Sequence, residues 1–496
     1  MRRREFLETA LGTAVLLPTH SLIAQSLATT TPPISDLVAR TLTGGSTTLP
    51  GTDVANLAAS LSGKLLLAVH EGYEQARQVW NGAFDKRPAL IVRCAGASDV
   101  VRAVEFAREH QLLTAVRAGG HSSSGKSTCD GGIVIDLSQM QGVRVDPLAR
   151  TARVGPGTFL GQLDRETTAF GLVTTAGTVS HTGAGGLTLG GGFGRVCRRF
   201  GLTCDNLRAA DVITAKGRFV RASQLENPDL LWGLRGGGGN FGVVTSFEFQ
   251  LHEMNPTIVG GVIQWPFEQA REVLRFYSDY SMDAPDALNL DVNLLWPPAE
   301  DPFIEIDVCW CDDHAKGEEV LRPLRQLGRP RLDAIAPMPY VKLQSSSDPY
   351  FPHGRRRYIK SAFTRELSAE AIDTILEVFQ IKPHGLAIIL TASGGAIGRI
   401  PVEATAFSNR DSRYWMIAIT EWADPSETEE RVAFMRRTWK ELERFASGYY
   451  INAITADEEA RERAVYGENY AGMVALKNKY DPTNLFRLNT NVKPSG

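Results

Sequence analysis

The spacing of apolar residues divides the chain into three stretches. Residues 90–93 (Leu-Ile-Val-Arg) open on three consecutive apolar residues and predict a strand. Val100, Val101, Val104 and Ala107 then fall at helical spacing, with Ser98 and Asp99 placed to cap that helix. Strand-like runs return at 112–117, 133–137, 143–145 and 152–154, with turn residues between them. Residues 159–170 revert to helical spacing through Leu160, Leu163 and Phe170. The patterning is α+β, not the regular strand–helix alternation of a doubly wound sheet.

The second stretch, 255–445, sets strand-like runs at 287–295, 303–311, 386–392 and 414–422 against amphipathic helices at 267–280 and 427–445. That predicts a largely antiparallel sheet backed by helices. The third stretch, 446–496, holds one helix and the turn Tyr480-Asp481-Pro482. The expected organisation is one domain over 61–254, a second over 255–445 and a closing segment over 446–496. Residues 29–60 are rich in Thr, Ser, Pro and Gly and predict a linker.

Composition narrows the function. The 496 residues are 43% hydrophobic and 22% charged, with net charge −3, which excludes disorder and a basic nucleic-acid footprint. The six cysteines have neither zinc nor disulfide-framework spacing, so no metal site is expected. After the N-terminus no apolar run is long enough to predict a stable membrane span. The N-terminus reads Arg2-Arg3-Arg4-Glu5-Phe6-Leu7, then a modest apolar stretch from Ala10 to Leu17. It resembles a twin-arginine export signal over 1–28, ending at the small-residue pattern Ser26-Leu27-Ala28. The export machinery is then an expected partner, and the periplasm or exterior the expected location.

Glycine is in excess, and more than half of the 47 glycines lie between Gly119 and Gly242. Two clusters imitate nucleotide motifs. Gly120–Ser127 matches the phosphate-loop pattern, but a phosphate loop must open a helix. Here Cys129-Asp130-Gly131-Gly132 and a strand follow. Gly237-x-Gly239-x-x-Gly242 matches the dinucleotide fingerprint, but Val243–Phe249 reads as strand where a helix is required. Runs of exposed backbone N–H groups still make anion-binding nests. Three nests suit one long dinucleotide in extended form.

Taken together, Arg117-Ala-Gly-Gly-His121-Ser-Ser-Ser-Gly125, Ser180–Gly194 and Leu234–Gly242 resemble the FAD-binding domain of the vanillyl-alcohol-oxidase superfamily, in its berberine-bridge-enzyme-like branch. Ordered matches continue in Tyr73–Asn81, Arg87-Pro88-Ala89, Arg199–Asn206, Asn227–Trp232 and the tail segments Tyr450-x-Asn452 and Lys479–Phe486. The resemblance covers roughly residues 60–494. It implies a FAD domain built from the N-terminal part and the tail, with a substrate domain over the flavin ring. It implies an oxidoreductase taking a hydride from a small-molecule C–H next to O or N to flavin N5. O2 is the implied electron acceptor, giving H2O2. A dehydrogenase using a quinone or other acceptor, and a flavin-binding module without turnover, are the alternatives.

By the same resemblance His121 is the covalent FAD attachment. The second attachment point of many members, a cysteine, is Val179 here, so a single bond is implied. The implied FAD contacts in the first cluster are Arg117, Gly119, Gly120, Ser122, Ser123 and Gly125. In the second they are Gly177, Thr178, Thr182, Gly183, Gly185, Gly186, Gly191, Gly192 and Gly194. Asn206, Gly242, Val243, Asn452 and Asn489 complete the set. The family's usual base positions hold Ala453 and Arg399 instead. By elimination the candidates are Tyr450, Tyr414, Glu421 and His181. Arg399 fits a substrate carboxylate or an internal salt bridge, and His181 fits either a place near the flavin or a turn cap. Arg355-Arg356-Arg357 fits either the pocket mouth or a solvated face.

Overall fold

The computed structural model describes residues 34–297, 300–380 and 385–495. The export-signal reading of residues 1–28 lies outside them. Among the described residues no helix is long and apolar enough to cross a membrane.

The first domain packs two sheets side by side. Leu90–Arg93, Ile133–Asp136 and Thr114–Arg117 run parallel, with Ile133–Asp136 in the centre and Lys64–Leu66 antiparallel at one edge. The helix Ala97–Glu109 covers this sheet through Val100, Ala103, Val104 and Ala107. It starts at Ala97 without a side-chain cap. The fully buried Asp99 carboxylate instead accepts from the backbone N–H groups of Ser62, Gly63 and Ala95, tying the preceding loop down. The second sheet is antiparallel, in the order Phe219–Ser223, Leu207–Ile213, Val243–Gln250, Thr151–Val154, Val143–Asp146.

The linker expected over 29–60 is not one where the chain is described. Leu37–Arg40 and Ser46–Leu49 form a hairpin and Gly51–Ser60 a helix. Ala39, Leu49, Val54 and Leu57 are buried in the core of the first sheet. Gly44 and Gly45 belong to the turn, Ser46, Thr47 and Thr48 lie in the second strand, and four well-placed apolar side chains dock the segment.

The second domain is one antiparallel sheet. Its order is Leu332–Asp333, Thr257–Pro266, Phe303–Trp310, Leu288–Leu295, Leu386–Ala392, Tyr414–Trp422, Arg356–Thr364, with Ala336–Pro339 also paired to Thr257–Pro266. Side chains alternate between its faces. Leu288, Leu290, Val292 and Leu294, with Ile304, Ile306 and Val308, join a core made with the helices Ala270–Asp283, Ala369–Gln380 and Thr428–Leu442. On Leu288–Leu295 and Phe303–Trp310 the opposite face, with Asp291, Asn293, Glu305 and Asp307, builds the site. The tail returns to the first domain. Buried Lys477 donates to the Asn240 and Phe486 carbonyls and pairs with Asp481 at 2.7 Å.

Candidate functional site

A cavity of about 1330 Å³ lies between the glycine-rich loops of the first domain and the open face of the second domain's sheet. Pockets for a single small ligand run to roughly 300–1,000 Å³. The space therefore suits a dinucleotide with a substrate beside it.

The glycines work in two ways. Some bring backbone against backbone. A Cβ on Gly119 would lie 2.4 Å from the Gly183 Cα, so the first two clusters touch with no side chain between them. Others leave room: a Cβ on Gly186 or Gly239 would meet nothing within 4 Å, and both glycines line the cavity. Of the residues implied as FAD contacts, the cavity is lined in the first cluster by Gly119, Gly120, His121, Ser122 and Ser123. It is lined in the second by Gly177, Thr178, Thr182, Gly183, Gly185, Gly186 and Gly194, and beyond them by Gly242, Val243, Asn452 and Asn489. The buried Asn489 Oδ1 and His121 Nε2 have no partner in the protein. Open glycine backbone and unpartnered polar atoms around one cavity of this size fit FAD.

Five implied contacts are elsewhere. The Arg117 guanidinium turns back to the Ala76 carbonyl. Gly125 packs on the Phe84 ring and Gly191 on the Phe407 ring. Gly192 presses on Thr203, and its N–H donates to the Tyr450 hydroxyl at 2.9 Å. Asn206 donates to the Phe200 and Leu202 carbonyls and meets His252 Nε2 at 2.6 Å, so it holds a turn. These residues shape the loops without lining the cavity.

His121 sits between Trp80, stacked at 4.2 Å between ring centroids, and His181 at 5.3 Å. His353 completes the group at 4.8 Å from His181. Burial, then the neighbouring His181, His353 and Arg357, holds the His121 imidazole down to about 3, so it is neutral at physiological pH. Among the described residues no three His, Cys, Asp or Glu side chains are arranged to hold a metal. His181 adjoins this group but does not line the cavity, and its buried Nδ1 has no partner.

The other base candidates separate by strand parity. Glu421 shares a face with Trp415, Ile417 and Ile419, and all four line the cavity. Its carboxylate pairs with Arg355 Nε at 2.9 Å and Arg357 Nη2 at 2.6 Å. Tyr414 is on the opposite face. Its hydroxyl donates to the Ser278 carbonyl and lies 3.0 Å from Ser281 Oγ, within the helix-packed core, so it is no base for this cavity. Tyr450 lines the cavity edge-on to Phe193 and Trp415. Its hydroxyl accepts from Gly192 and from Asn452 Nδ2 at 3.0 Å, and burial raises its pKa, so it keeps its proton. Arg399 is 62% exposed and paired with Asp286, outside the cavity.

The sequence leaves Arg357 between the pocket mouth and a solvated face, and it gives no role to several other site residues. The Arg357 side chain is fully buried, lies over the Trp80 ring at 4.3 Å and lines the cavity. Period-2 alternation from Ile359 on the same strand carries that signal. Asp291, Asn293, Glu305 and Asp307 also line the cavity. Their signal is the alternation Leu-Asn-Leu-Asp-Val-Asn-Leu over 288–294 and Ile-Glu-Ile-Asp-Val over 304–308. His353 follows Pro352 in a loop without periodicity and gives no such signal.

Residues 88–223 match the FAD binding domain family and residues 449–493 the berberine and berberine-like family. An FAD-linked oxidoreductase of Dictyostelium discoideum is 35% identical over 442 residues, covering 88% of this chain and 95% of its own. The (R)-6-hydroxynicotine oxidase of Paenarthrobacter nicotinovorans is 32% identical, covering 88% of this chain and 98% of its own. The solved structure of 6-hydroxy-D-nicotine oxidase from Arthrobacter nicotinovorans superposes with a TM-score of 0.82 at 29% identity, covering 88% of this chain and 99% of that one. These matches show that the chain belongs to the berberine-bridge-enzyme-like family of FAD-linked oxidoreductases.

Proposed function

We propose that this oxidoreductase removes a hydride from a substrate C–H bond next to oxygen or nitrogen and passes the electrons to O2, releasing H2O2. The observation that supports this reading is the single cavity joining the glycine loops and His121 to a substrate-domain wall. Bound FAD supplies the hydride acceptor. The chain's residues do the rest. Phe193, Trp415, Ile417 and Ile419 give the substrate an apolar bed from which water is excluded. Glu421, oriented by Arg355 and Arg357, is the proton acceptor we assign. Tyr450 keeps its proton, so it donates a hydrogen bond to the substrate. His121, neutral and with an unpartnered Nε2, tethers the flavin covalently, and it alone does so, since position 179 is valine. Arg2-Arg3-Arg4 and the following apolar stretch direct the chain through twin-arginine export.

Anaerobic mixing of the purified holoenzyme with sugars, alcohols, amines and hydroxy acids tests the reading. One class is expected to bleach the flavin, with stoichiometric H2O2 when air is admitted. Bleaching by none supports a binding module, and bleaching without H2O2 supports a dehydrogenase. On a denaturing gel the band is expected to fluoresce as flavin, and His121→Ala to abolish that fluorescence. Complete release of FAD from the wild type on denaturation removes the tether.

A further inference from the structure

The cavity wall formed by the second domain's sheet is segregated by charge. At one end Arg355 and Arg357 surround Glu421. At the other, the strands Leu288–Leu295 and Phe303–Trp310 set three carboxylates side by side. Asp291 stands directly opposite Asp307 across the two strands, and Asn293 opposite Glu305. Facing pairs on adjacent strands bring their Cβ atoms to roughly 4.5–5.5 Å. Like charges so placed repel, and burial raises the cost of each.

The surroundings neutralise only part of this charge. Arg195, fully buried, reaches Asp307 Oδ2 at 2.5 Å. Glu305 accepts from Gln264 Nε2 at 2.8 Å and Asn293 Nδ2 at 3.0 Å, both uncharged donors. Asp291 is 7% and Asp307 8% exposed, and the Oδ1 atom of each has no partner. Both residues line the cavity. Neither oxygen takes a hydrogen bond from the protein, and both residues stand in the cavity wall, where the occupant is the remaining source of a donor. Phe303, Leu295 and Ile389 flank them and suit an apolar body attached to that donor.

We propose that Asp291, Asp307 and Glu305 form a subsite for the protonated amine of a substrate or substrate analogue with an apolar body. The proposal rests on the oxidoreductase reading of the same cavity and narrows its substrates to those carrying a cationic nitrogen. An ammonium group has three N–H donors and no acceptor, which matches the two bare Oδ1 atoms and Glu305. A neutral alcohol of the same shape offers one donor and no charge. The subsite therefore discriminates by charge-assisted hydrogen bonds.

Calorimetric titration of the FAD-loaded enzyme with phenethylammonium chloride and with 2-phenylethanol tests this without turnover. The ammonium is expected to bind at least about tenfold more tightly than the alcohol. Asp291→Asn and Glu305→Gln, each a neutral isostere, are each expected to cut ammonium affinity about tenfold while leaving alcohol affinity unchanged. Equal affinity of the wild type for the two probes, absence of heat from the ammonium, or parallel loss of both ligands in the two variants overturns the proposal. A protein that purifies without flavin defeats the oxidoreductase reading. A yellow protein that fails to discriminate the probes defeats the subsite alone.

Discussion

Asp164 shows what a single buried carboxyl does away from the cavity surface. It lies in the helix Leu160–Thr168, is almost fully buried, and accepts from Gln344 Nε2 at 3.1 Å. Gln344 also donates to the Gly177 carbonyl at 3.1 Å, so the pair supports a residue of the cavity wall. Burial pushes the Asp164 carboxyl up to about 7, against the one opposing hydrogen bond from Gln344. The folded state therefore holds this proton where the unfolded chain has lost it. The stabilisation is complete below the unfolded value near 4 and is lost as pH rises through about 7. Gln344 Oε1 is buried without a partner. Asp164→Asn supplies it with an N–H and keeps the acceptor for Gln344 Nε2. The variant is expected to match the wild type in thermal unfolding near pH 4 and to exceed it by about 2 kcal/mol or more near pH 8. A pH-independent difference between the two would show that Asp164 titrates normally.

At the scale of the element, strand parity decides which side chains reach chemistry. Tyr414 and Glu421 share one strand but lie on opposite faces. Glu421→Gln is expected to lower turnover by about 10²-fold or more while unfolding near the wild-type temperature. Tyr414→Phe is expected to cost about 1 kcal/mol of stability, from the lost bond to the Ser278 carbonyl, with turnover unchanged. Equal loss of turnover in both would overturn the parity argument.

The same parity explains what the sequence disclosed. Strands such as 288–295 and 414–422 are legible because apolar residues alternate on the helix-packed face. Glu421 is placed correctly by that alternation, and Tyr414 is misplaced only when it is ignored. The acidic residues 291, 305 and 307 sit in the same pattern, but their polar face gains meaning only when two strands pair in register. The glycine motifs locate the cavity, yet they do not say which glycines face it. That depends on which backbones touch, as Gly119 and Gly183 do. Arg117, Gly125 and Asn206 belong to the motifs as builders of the loops. The hairpin and helix over 37–60 are hidden because their burial comes from docking on another sheet, not from local periodicity.

Across the whole molecule, the cavity exists only if its two walls stay in register, and a short segment joins them. Asn81 is fully buried between the domains. Its Nδ2 donates to the Ser123 carbonyl at 2.8 Å in the first wall and to the Arg357 carbonyl at 2.9 Å in the second. Its Oδ1 accepts from the Arg357 N–H at 3.0 Å. Neighbouring bonds run the same way: Trp80 N–H donates to the Gly120 carbonyl, and Gly354 N–H to the Trp80 carbonyl. The clamp thus holds the backbone beside His121 against the backbone of the strand that carries Arg357. Ser123 Oγ, at 3.1 Å from the Asn452 carbonyl, adds the tail to the same assembly. Asn81→Ala removes the partner of the Arg357 and Ala83 N–H groups and of the Ser123 and Arg357 carbonyls. The expected cost is about 2–4 kcal/mol in thermal unfolding. Because both walls shift relative to each other, kcat/KM is expected to fall further than flavin content, which depends on the first wall. Asn81→Asp retains the acceptor for the Arg357 N–H and is expected to lie between the two. A variant Asn81→Ala with wild-type unfolding temperature and wild-type kcat/KM would show that the walls are registered by the surrounding packing instead.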